Sequence, residues 1–117
     1  MSEISLRMSD GTHIVLPDSL NAITTYVILE QEKWFEKEAA FLAQWLRPGM
    51  NVIDIGANLG VYSLPMARLV GPDGHVFAYE PASETRRLLK ISKKKNRANN
   101  LHIVEAALSD GEREGHL

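Results

Sequence analysis

The sequence predicts an α/β fold built on a doubly wound parallel sheet, preceded by an N-terminal hairpin and helix. Three short apolar runs, each bounded by turn residues, have the composition of strands that are buried on both faces. Helical patterns of apolar residues separate these runs, and this alternation is typical of a parallel sheet. The predicted strands cover residues 52–55, 75–79 and 101–104.

The composition fits one ordinary globular domain of 117 residues, 44% hydrophobic and 24% charged, with a formal net charge of −2. The absence of cysteine excludes disulfides and thiolate metal sites. Because the net charge is close to zero, we expect no nucleic-acid partner. No apolar run reaches the ~20 residues of a membrane span and no signal-peptide core follows Met1, so we expect a cytoplasmic location.

The first 48 residues are predicted to form a hairpin and a helix. Alternating apolar residues flank Asp10-Gly11, a dipeptide that is a strong turn signal between two strands. Residues 23–29 begin with β-branched side chains, and we favour a short helix there. The apolar spacing of residues 35–46 is helical, and Pro48-Gly49 ends that helix. We therefore divide the chain into a lead-in, residues 1–48, and a second segment, residues 49–117.

The most informative stretch is the turn between the first predicted parallel strand and the helix that follows it. Gly56 and Gly60 bracket this turn, and glycine accepts positive φ and lets a ligand approach the main chain. Such a turn aims free helix N–H groups at the space above the carboxyl end of the strand. Two successive right-handed crossovers give the spatial strand order third, second, first, which places a binding crevice above the first strand.

The residues of this turn favour a cationic ligand over a dinucleotide. A dinucleotide fingerprint that starts at Gly56 needs glycine at positions 58 and 61, where this chain has Asn58 and Val61. A nicotinamide-dinucleotide domain is therefore disfavoured. Asp54 precedes the turn, and its carboxylate would repel a pyrophosphate but attract an ammonium or sulfonium group. S-adenosylmethionine carries both of these cations and no phosphate, so we expect it as the cofactor.

Three polar residues around the turn each have a binding and a structural interpretation. Asp54 either faces the ligand or caps the N–H groups of the turn, and the two roles are compatible. Asn58 is either close to the ligand or a turn residue that tolerates a left-handed backbone. Glu80 ends the second apolar strand, where a carboxylate can accept both hydroxyls of a ribose; the alternative is a solvated strand end. The basic run at residues 93–97 is interpreted as a solvated helix end.

Four segments carry a pattern that is also found in a known family: residues 52–63 with Gly-Ala-Asn-Leu-Gly, residues 67–74, residues 76–81 with Glu-Pro, and residues 104–110. Together they resemble the FkbM-type S-adenosylmethionine-dependent methyltransferases. The resemblance implies a Rossmann-like fold of the class I methyltransferase type, of which this chain would hold the incomplete, cofactor-binding half. The cofactor-binding residues implied by the resemblance are Asp54, Gly56, Asn58, Gly60, Glu80 and Ala107.

The resemblance also implies a role for each of these residues. The two glycines and Asn58 would form the wall around the methionine moiety, and Asp54 would organise this wall and the ammonium group. Glu80 would hold the ribose diol. Ala107 would lie beside the adenine, where many related methyltransferases have an acidic residue.

The implied activity is methyl transfer to an oxygen, with a hydroxyl of a small molecule or sugar as the expected acceptor. No catalytic base is assigned, since none of the four histidines is placed at the crevice, and no metal ligands are recognised. The chain is shorter than members of the resembling family. The alternatives are therefore a non-catalytic S-adenosylmethionine-binding module or a truncated fragment. An exposed edge on the first parallel strand would favour self-association.

Overall fold

The computed structural model describes residues 3–8, 10–17 and 40–106, which contain an antiparallel hairpin and a three-stranded parallel sheet. The hairpin consists of β1 (Glu3–Arg7) and β2 (His13–Pro17). Residues 40–45 are helical. The parallel part of the fold consists of β3 (Asn51–Ile55), α1 (Ser63–Val70), β4 (His75–Tyr79), α2 (Ser83–Lys95) and β5 (Leu101–Val104).

The parallel sheet has the strand order β3–β4–β5, so the predicted order of third, second, first is confirmed. Each crossover contains one helix, α1 between β3 and β4 and α2 between β4 and β5. The predicted α/β fold class is therefore confirmed. In the part of the chain that the structure describes, β3 pairs with β4 alone and forms one edge of the sheet.

The two faces of the parallel sheet differ in how far they are covered. On one face, Val76 and Ala78 of β4 and Leu101 of β5 are fully buried, and both helices contact the sheet. On the other face, Ile53 and Ile55 of β3 are 59% and 63% exposed. Two crossovers of the same hand place their helices on the same side of a sheet. The second face is therefore left open by α1 and α2.

The hairpin packs against α2, and it is held there by hydrogen bonds as well as by apolar burial. The N–H of Val15 donates to Ser92 Oγ over 2.8 Å, and the N–H of His13 donates to Asn96 Oδ1 over 2.7 Å. The Asn96 amide donates back to the carbonyl of His13 over 2.6 Å. Residues 14–16 of β2 are buried within the core. Helix α2 thus lies between the hairpin and the parallel sheet.

The predicted hairpin turn is confirmed, whereas the start of the first crossover helix differs from the prediction. Gly11 has φ of 90° and donates its N–H to the carbonyl of Met8 over 2.9 Å. Apolar residues with helical spacing begin at Leu59 in the sequence, but α1 begins at Ser63. Positive φ at Asn58 and Gly60 is incompatible with a helix, so Leu59 is buried from a turn instead.

Several sequence predictions lie outside the described residues: the short helix at 23–29, the beginning of the helix predicted from residue 35, and the position of Ala107. Over the ranges that are described, no helix is long and apolar enough to cross a membrane.

Candidate functional site

The carboxyl ends of β3 and β4 lie side by side in the parallel sheet, and each brings one carboxylate to this end of the sheet. Ile55, the last residue of β3, is in register with Tyr79, the last residue of β4. Asp54 therefore lies one residue before this end, and Glu80 lies directly beyond it. The N–H groups of Gly56 and Ala57 both donate to the carbonyl of Tyr79, over 2.9 and 3.0 Å. These bonds anchor the start of the glycine turn to the end of β4.

The glycine turn owes its shape to three residues with a left-handed backbone. Gly56, Asn58 and Gly60 have φ of 69°, 54° and 99°. The N–H of Gly60 donates to the carbonyl of Ala57 over 3.1 Å, and the carbonyl of Gly60 accepts the N–H of Leu64 over 3.0 Å. The turn therefore leads directly into α1. Asn58 has the left-handed conformation that asparagine tolerates better than most residues.

The two glycines differ in what surrounds them. A Cβ on Gly56 would meet no atom of the described residues within 4 Å, so these residues leave this part of the main chain open to an approaching ligand. A Cβ on Gly60 would lie 2.7 Å from Cδ1 of Leu89 and 3.1 Å from Cδ1 of Leu64. The lack of a side chain at Gly60 is therefore required by core packing.

Glu80 connects the glycine turn to the loop that precedes α2. Its Oε1 accepts the N–H of Asn58 over 2.8 Å, and its Oε2 accepts the N–H of Ala82 over 3.1 Å. The residue is only 8% exposed, so the interpretation as a solvated strand end is wrong. A carboxylate oxygen has two lone pairs, so each oxygen can still accept a ligand hydroxyl.

Asp54 is a half-buried carboxylate with little compensation for its charge. Burial raises the pKa of Asp54, and the nearby charge of Glu80 raises this pKa further, while a hydrogen bond from the hydroxyl of Ser63 lowers it. Among the described residues, no lysine, arginine or histidine forms an ion pair with Asp54. A ligand that carries an ammonium group would supply the missing positive charge.

Sequence reasoning missed the contribution of Ser63, the first residue of α1. Its hydroxyl donates to Asp54 Oδ2, and the residue is fully buried. The sequence does contain the pattern that could have indicated this bond: Asp54 near the end of a strand, followed by a serine at the start of the next helix. This bond fixes the orientation of the Asp54 carboxylate beside the glycine turn.

The two histidines of the parallel sheet lie away from this site, as the sequence predicted. His75 is the first residue of β4, and its Nδ1 lies 2.9 Å from Nε2 of His102. Within the described ranges, no group of three or more potential ligand side chains is arranged to hold a metal ion. The site therefore consists of carboxylates, a hydroxyl and main-chain groups. An open main chain at Gly56 and an uncompensated carboxylate at Asp54 fit the predicted cofactor.

A protein-family model described as protein-L-isoaspartate(D-aspartate) O-methyltransferase (PCMT) matches residues 6–116. The chain belongs to the PCMT family. The family is one of methyltransferases, the class of enzyme that the sequence predicted, and S-adenosylmethionine is the cofactor of this class of fold. The family is a different one from the FkbM-type enzymes that the four sequence segments resemble.

Individual relatives of this PCMT-family chain are methyltransferases as well. A protein-L-isoaspartate O-methyltransferase of Methanothrix thermoacetophila is 35% identical over 66 residues, which are 56% of this chain and 30% of the relative. A demethylmenaquinone methyltransferase of Listeria welshimeri is 30% identical over 88 residues, 75% of this chain and 34% of the relative. The chain thus spans about a third of the length of these curated relatives.

A solved structure with the same fold is a SAM-dependent methyltransferase from Aquifex aeolicus. It is 25% identical to this chain, with a TM-score of 0.53, and the match covers 62% of this chain and 37% of the solved one. The predicted Rossmann-like class I fold, present here as part of a domain, is therefore confirmed.

Proposed function

We propose that this chain provides the S-adenosylmethionine-binding part of a methyltransferase that acts on an oxygen acceptor. One observation carries the proposal. Asp54 and Glu80 lie at the ends of adjacent parallel strands, on either side of a turn whose main chain is open at Gly56. When bound, S-adenosylmethionine supplies an electrophilic methyl group on a positively charged sulfur.

Each candidate residue has a task that follows from its surroundings. Asp54 offers negative charge to the ammonium group, and Ser63 keeps this carboxylate in place. Glu80 accepts the ribose hydroxyls with the lone pairs that Asn58 and Ala82 leave free. The main chain from Gly56 to Gly60 forms the wall beside the methionine moiety. By the sequence resemblance, Ala107 lies beside the adenine, and residues 49–117 form the cofactor-binding segment.

We propose an oxygen acceptor because the matching family and the FkbM-type enzymes both transfer a methyl group to oxygen. The description of the matching family names an isoaspartyl carboxylate, and the resemblance to FkbM-type enzymes implies a hydroxyl of a small molecule or sugar. Both acceptors react through oxygen. Such transfer depends on holding the acceptor in line with the methyl group, and a hydroxyl also needs a base to remove its proton.

Calorimetric titration of the chain with S-adenosylmethionine, S-adenosylhomocysteine and NAD tests the cofactor. We expect the first two ligands to bind and NAD to show no heat. Binding of NAD without binding of S-adenosylmethionine would refute the proposal. Transfer of a labelled methyl group to an isoaspartyl peptide, and in parallel to sugar and small-molecule hydroxyls, then identifies the acceptor.

The second candidate function is a module that binds the cofactor without turnover. It is favoured by the lack of any histidine beside Asp54 and Glu80 among the described residues. Cofactor binding without methyl transfer to any acceptor of the panel supports this candidate. Transfer by the purified chain refutes it.

We also propose that copies of the chain associate through the edge of β3. In the described residues this edge has no strand partner, and Ile53 and Ile55 beside it are exposed. Unpaired N–H and C=O groups on an apolar strand favour pairing with another strand. A second copy offers an identical strand of matching length.

A further inference from the structure

A second charged feature lies at the amino ends of the parallel strands. Asp54 and Glu80 lie at the opposite, carboxyl ends. It is a groove of about 790 Å³, bordered by the loop before β4 and the loop before β5. Its charged lining residues come from three separate parts of the fold. They are Arg7 and Asp10 of the hairpin, Arg68 of α1 and Arg97 after α2.

Two of these arginines converge on one point. A Cβ built on Gly11 would lie 3.3 Å from Nη1 of Arg68 and 3.9 Å from Nη2 of Arg7. Two guanidinium groups this close repel each other unless an anion compensates them. Neither arginine forms an ion pair with any residue of the described ranges.

Among the described lining residues of the groove, the single carboxylate is Asp10, which is held within the hairpin turn. Asp10 Oδ1 accepts the N–H of Thr12 over 2.9 Å and the hydroxyl of Thr12 over 2.6 Å. These bonds stabilise the hairpin turn and hold Asp10 within it. Among the described residues that line the groove, Asp10 is therefore one carboxylate beside two converging arginines, Arg7 and Arg68, and this leaves a net positive charge.

The positive surface continues beyond Arg97. Arg97 and Asn99 also line a second hollow of about 500 Å³, together with three lysines of α2. We call the groove and this hollow together the cationic groove. Its described lining residues include six cations and one carboxylate, on a chain whose net charge is −2. The cationic residues are Arg7, Arg68, Lys90, Lys93, Lys94 and Arg97.

In contrast to the expectation from the net charge and from the basic run at residues 93–97, we propose that the cationic groove binds a chain of phosphates, either an inorganic polyphosphate or the backbone of a single-stranded nucleic acid. Guanidinium groups donate in a fork that matches phosphate oxygens, and cations along two adjacent hollows can contact more than one phosphate. Among the described residues, no phenylalanine, tyrosine or tryptophan lines either hollow, so these residues offer bases no aromatic surface to stack on. Binding is therefore independent of base sequence.

Fluorescence anisotropy of the 117-residue chain tests the proposal. The probes are labelled single strands of thymidine or of deoxyadenosine, about 15 nucleotides long, at about 50 mM salt where phosphate contacts are strong. We expect both probes to bind with the same affinity within twofold. Displacement by sodium tripolyphosphate at similar concentrations identifies phosphate alone as the ligand, whereas binding that tripolyphosphate does not displace identifies the nucleic-acid backbone. Failure of the single strands and of tripolyphosphate to bind overturns the proposal.

Substitutions locate the binding. The double variant Arg7→Gln, Arg68→Gln should bind at least tenfold more weakly, and the slope of log affinity against log salt should fall by about 1.4, since each contact to a single strand contributes about 0.7. Arg97→Gln repeats the test at an independent position. Lys95→Gln is the matched control, because Lys95 belongs to the same basic run but lines neither hollow.

Two results would overturn this location: unchanged binding in the double variant, or an equal loss in Lys95→Gln. Circular dichroism confirms that each variant is folded. Titration with S-adenosylmethionine separates the two sites, because the double variant should bind the cofactor as the unchanged chain does. Loss of phosphate binding with intact cofactor binding therefore tests the cationic groove alone.

Discussion

Asp54 and Glu80 are two carboxylates at one end of the sheet, and their hydrogen-bond partners differ. Glu80 accepts two main-chain N–H groups, one from each neighbouring loop. Asp54 accepts a single hydroxyl, from Ser63, and burial together with the charge of Glu80 raises its pKa. The charge of Asp54 is therefore less well stabilised in the folded chain than in water, and a cationic ligand would offset this.

The substitution Asp54→Asn should separate stability from binding. Asparagine can still accept the Ser63 hydroxyl but carries no charge. We expect S-adenosylmethionine to bind at least tenfold more weakly, about the loss of one charge-assisted hydrogen bond. The stability to urea at pH 7 should be equal or higher. Asp73→Asn, at an exposed turn position, is the control and should change neither quantity.

The sign of the stability change follows from the direction of the pKa shift. The pKa of Asp54 is raised above 3.8, so the folded chain binds more protons than the unfolded chain between 3.8 and the raised value. Stability from this residue is therefore present below pH 3.8 and is lost as the pH rises through that window. Asp54→Asn should remove this part of the pH dependence. A urea midpoint at pH 7 that falls in the variant would show that the charge stabilises the fold.

Glu80→Ala should weaken both binding and folding. Loss of the ribose contacts should reduce affinity for S-adenosylmethionine by about 1–3 kcal/mol. The substitution also leaves the N–H groups of Asn58 and Ala82 without their acceptor, at about 1–3 kcal/mol for each group that stays buried. Calorimetry and urea unfolding measure the two effects. Glu84→Gln, on the exposed side of α2, is the control, and normal affinity in a folded Glu80→Ala would refute the ribose assignment.

At the scale of elements, the glycine turn contains two positions with different requirements. In Gly56→Ala the new Cβ meets no described atom, but alanine must adopt the left-handed backbone of this position. The substitution should therefore cost about 1–2 kcal/mol of stability and impair cofactor binding. Gly60→Ala should destabilise the fold more, because its Cβ would overlap Leu89 in addition. Urea unfolding and titration of both variants measure this. Equal stability of the two variants would contradict the assigned difference.

The hairpin and α2 are joined by one fully buried side-chain bond, from the N–H of Val15 to Ser92 Oγ. Ser92→Ala leaves this N–H without an acceptor and should lower the free energy of unfolding by about 1–3 kcal/mol. Ser83→Ala, at the exposed start of the same helix, is the matched control and should change stability by less than about 0.5 kcal/mol. Thermal or urea unfolding gives both values. An unchanged free energy of unfolding in Ser92→Ala would mean that the hairpin is held by apolar packing alone.

The sequence predicted the elements better than their contacts. Local patterns predicted the Asp10-Gly11 turn and the strands of the parallel sheet, because periodicity and turn residues act over a few positions. The bond from Val15 to Ser92 joins residues 77 positions apart, and no local pattern reports such a pair. The burial of Glu80 was missed for the same reason, since its partner Asn58 lies in a different loop.

At the scale of the molecule, the open face of the parallel sheet and the edge of β3 favour association of copies. We expect sedimentation velocity to show assemblies that grow with protein concentration. Ile53→Lys should reduce this association, because a charge on an exposed edge strand opposes pairing with another strand. Ser5→Lys, on an exposed position of β1, is the control. A monomer at all concentrations would refute association through β3.

The bonds of Glu80 to two loops have a consequence for how this family can diverge. A lineage that gave up the ligand would still be selected to keep this carboxylate, because the loops depend on it. Glutamate at this position in a relative therefore reports descent and folding, and it says little about retained chemistry. Asp54 is under the opposite pressure, since its charge is disfavoured without a ligand. In a descendant that has lost the cofactor, we therefore expect Asp54 to be replaced by an uncharged residue before Glu80 is replaced.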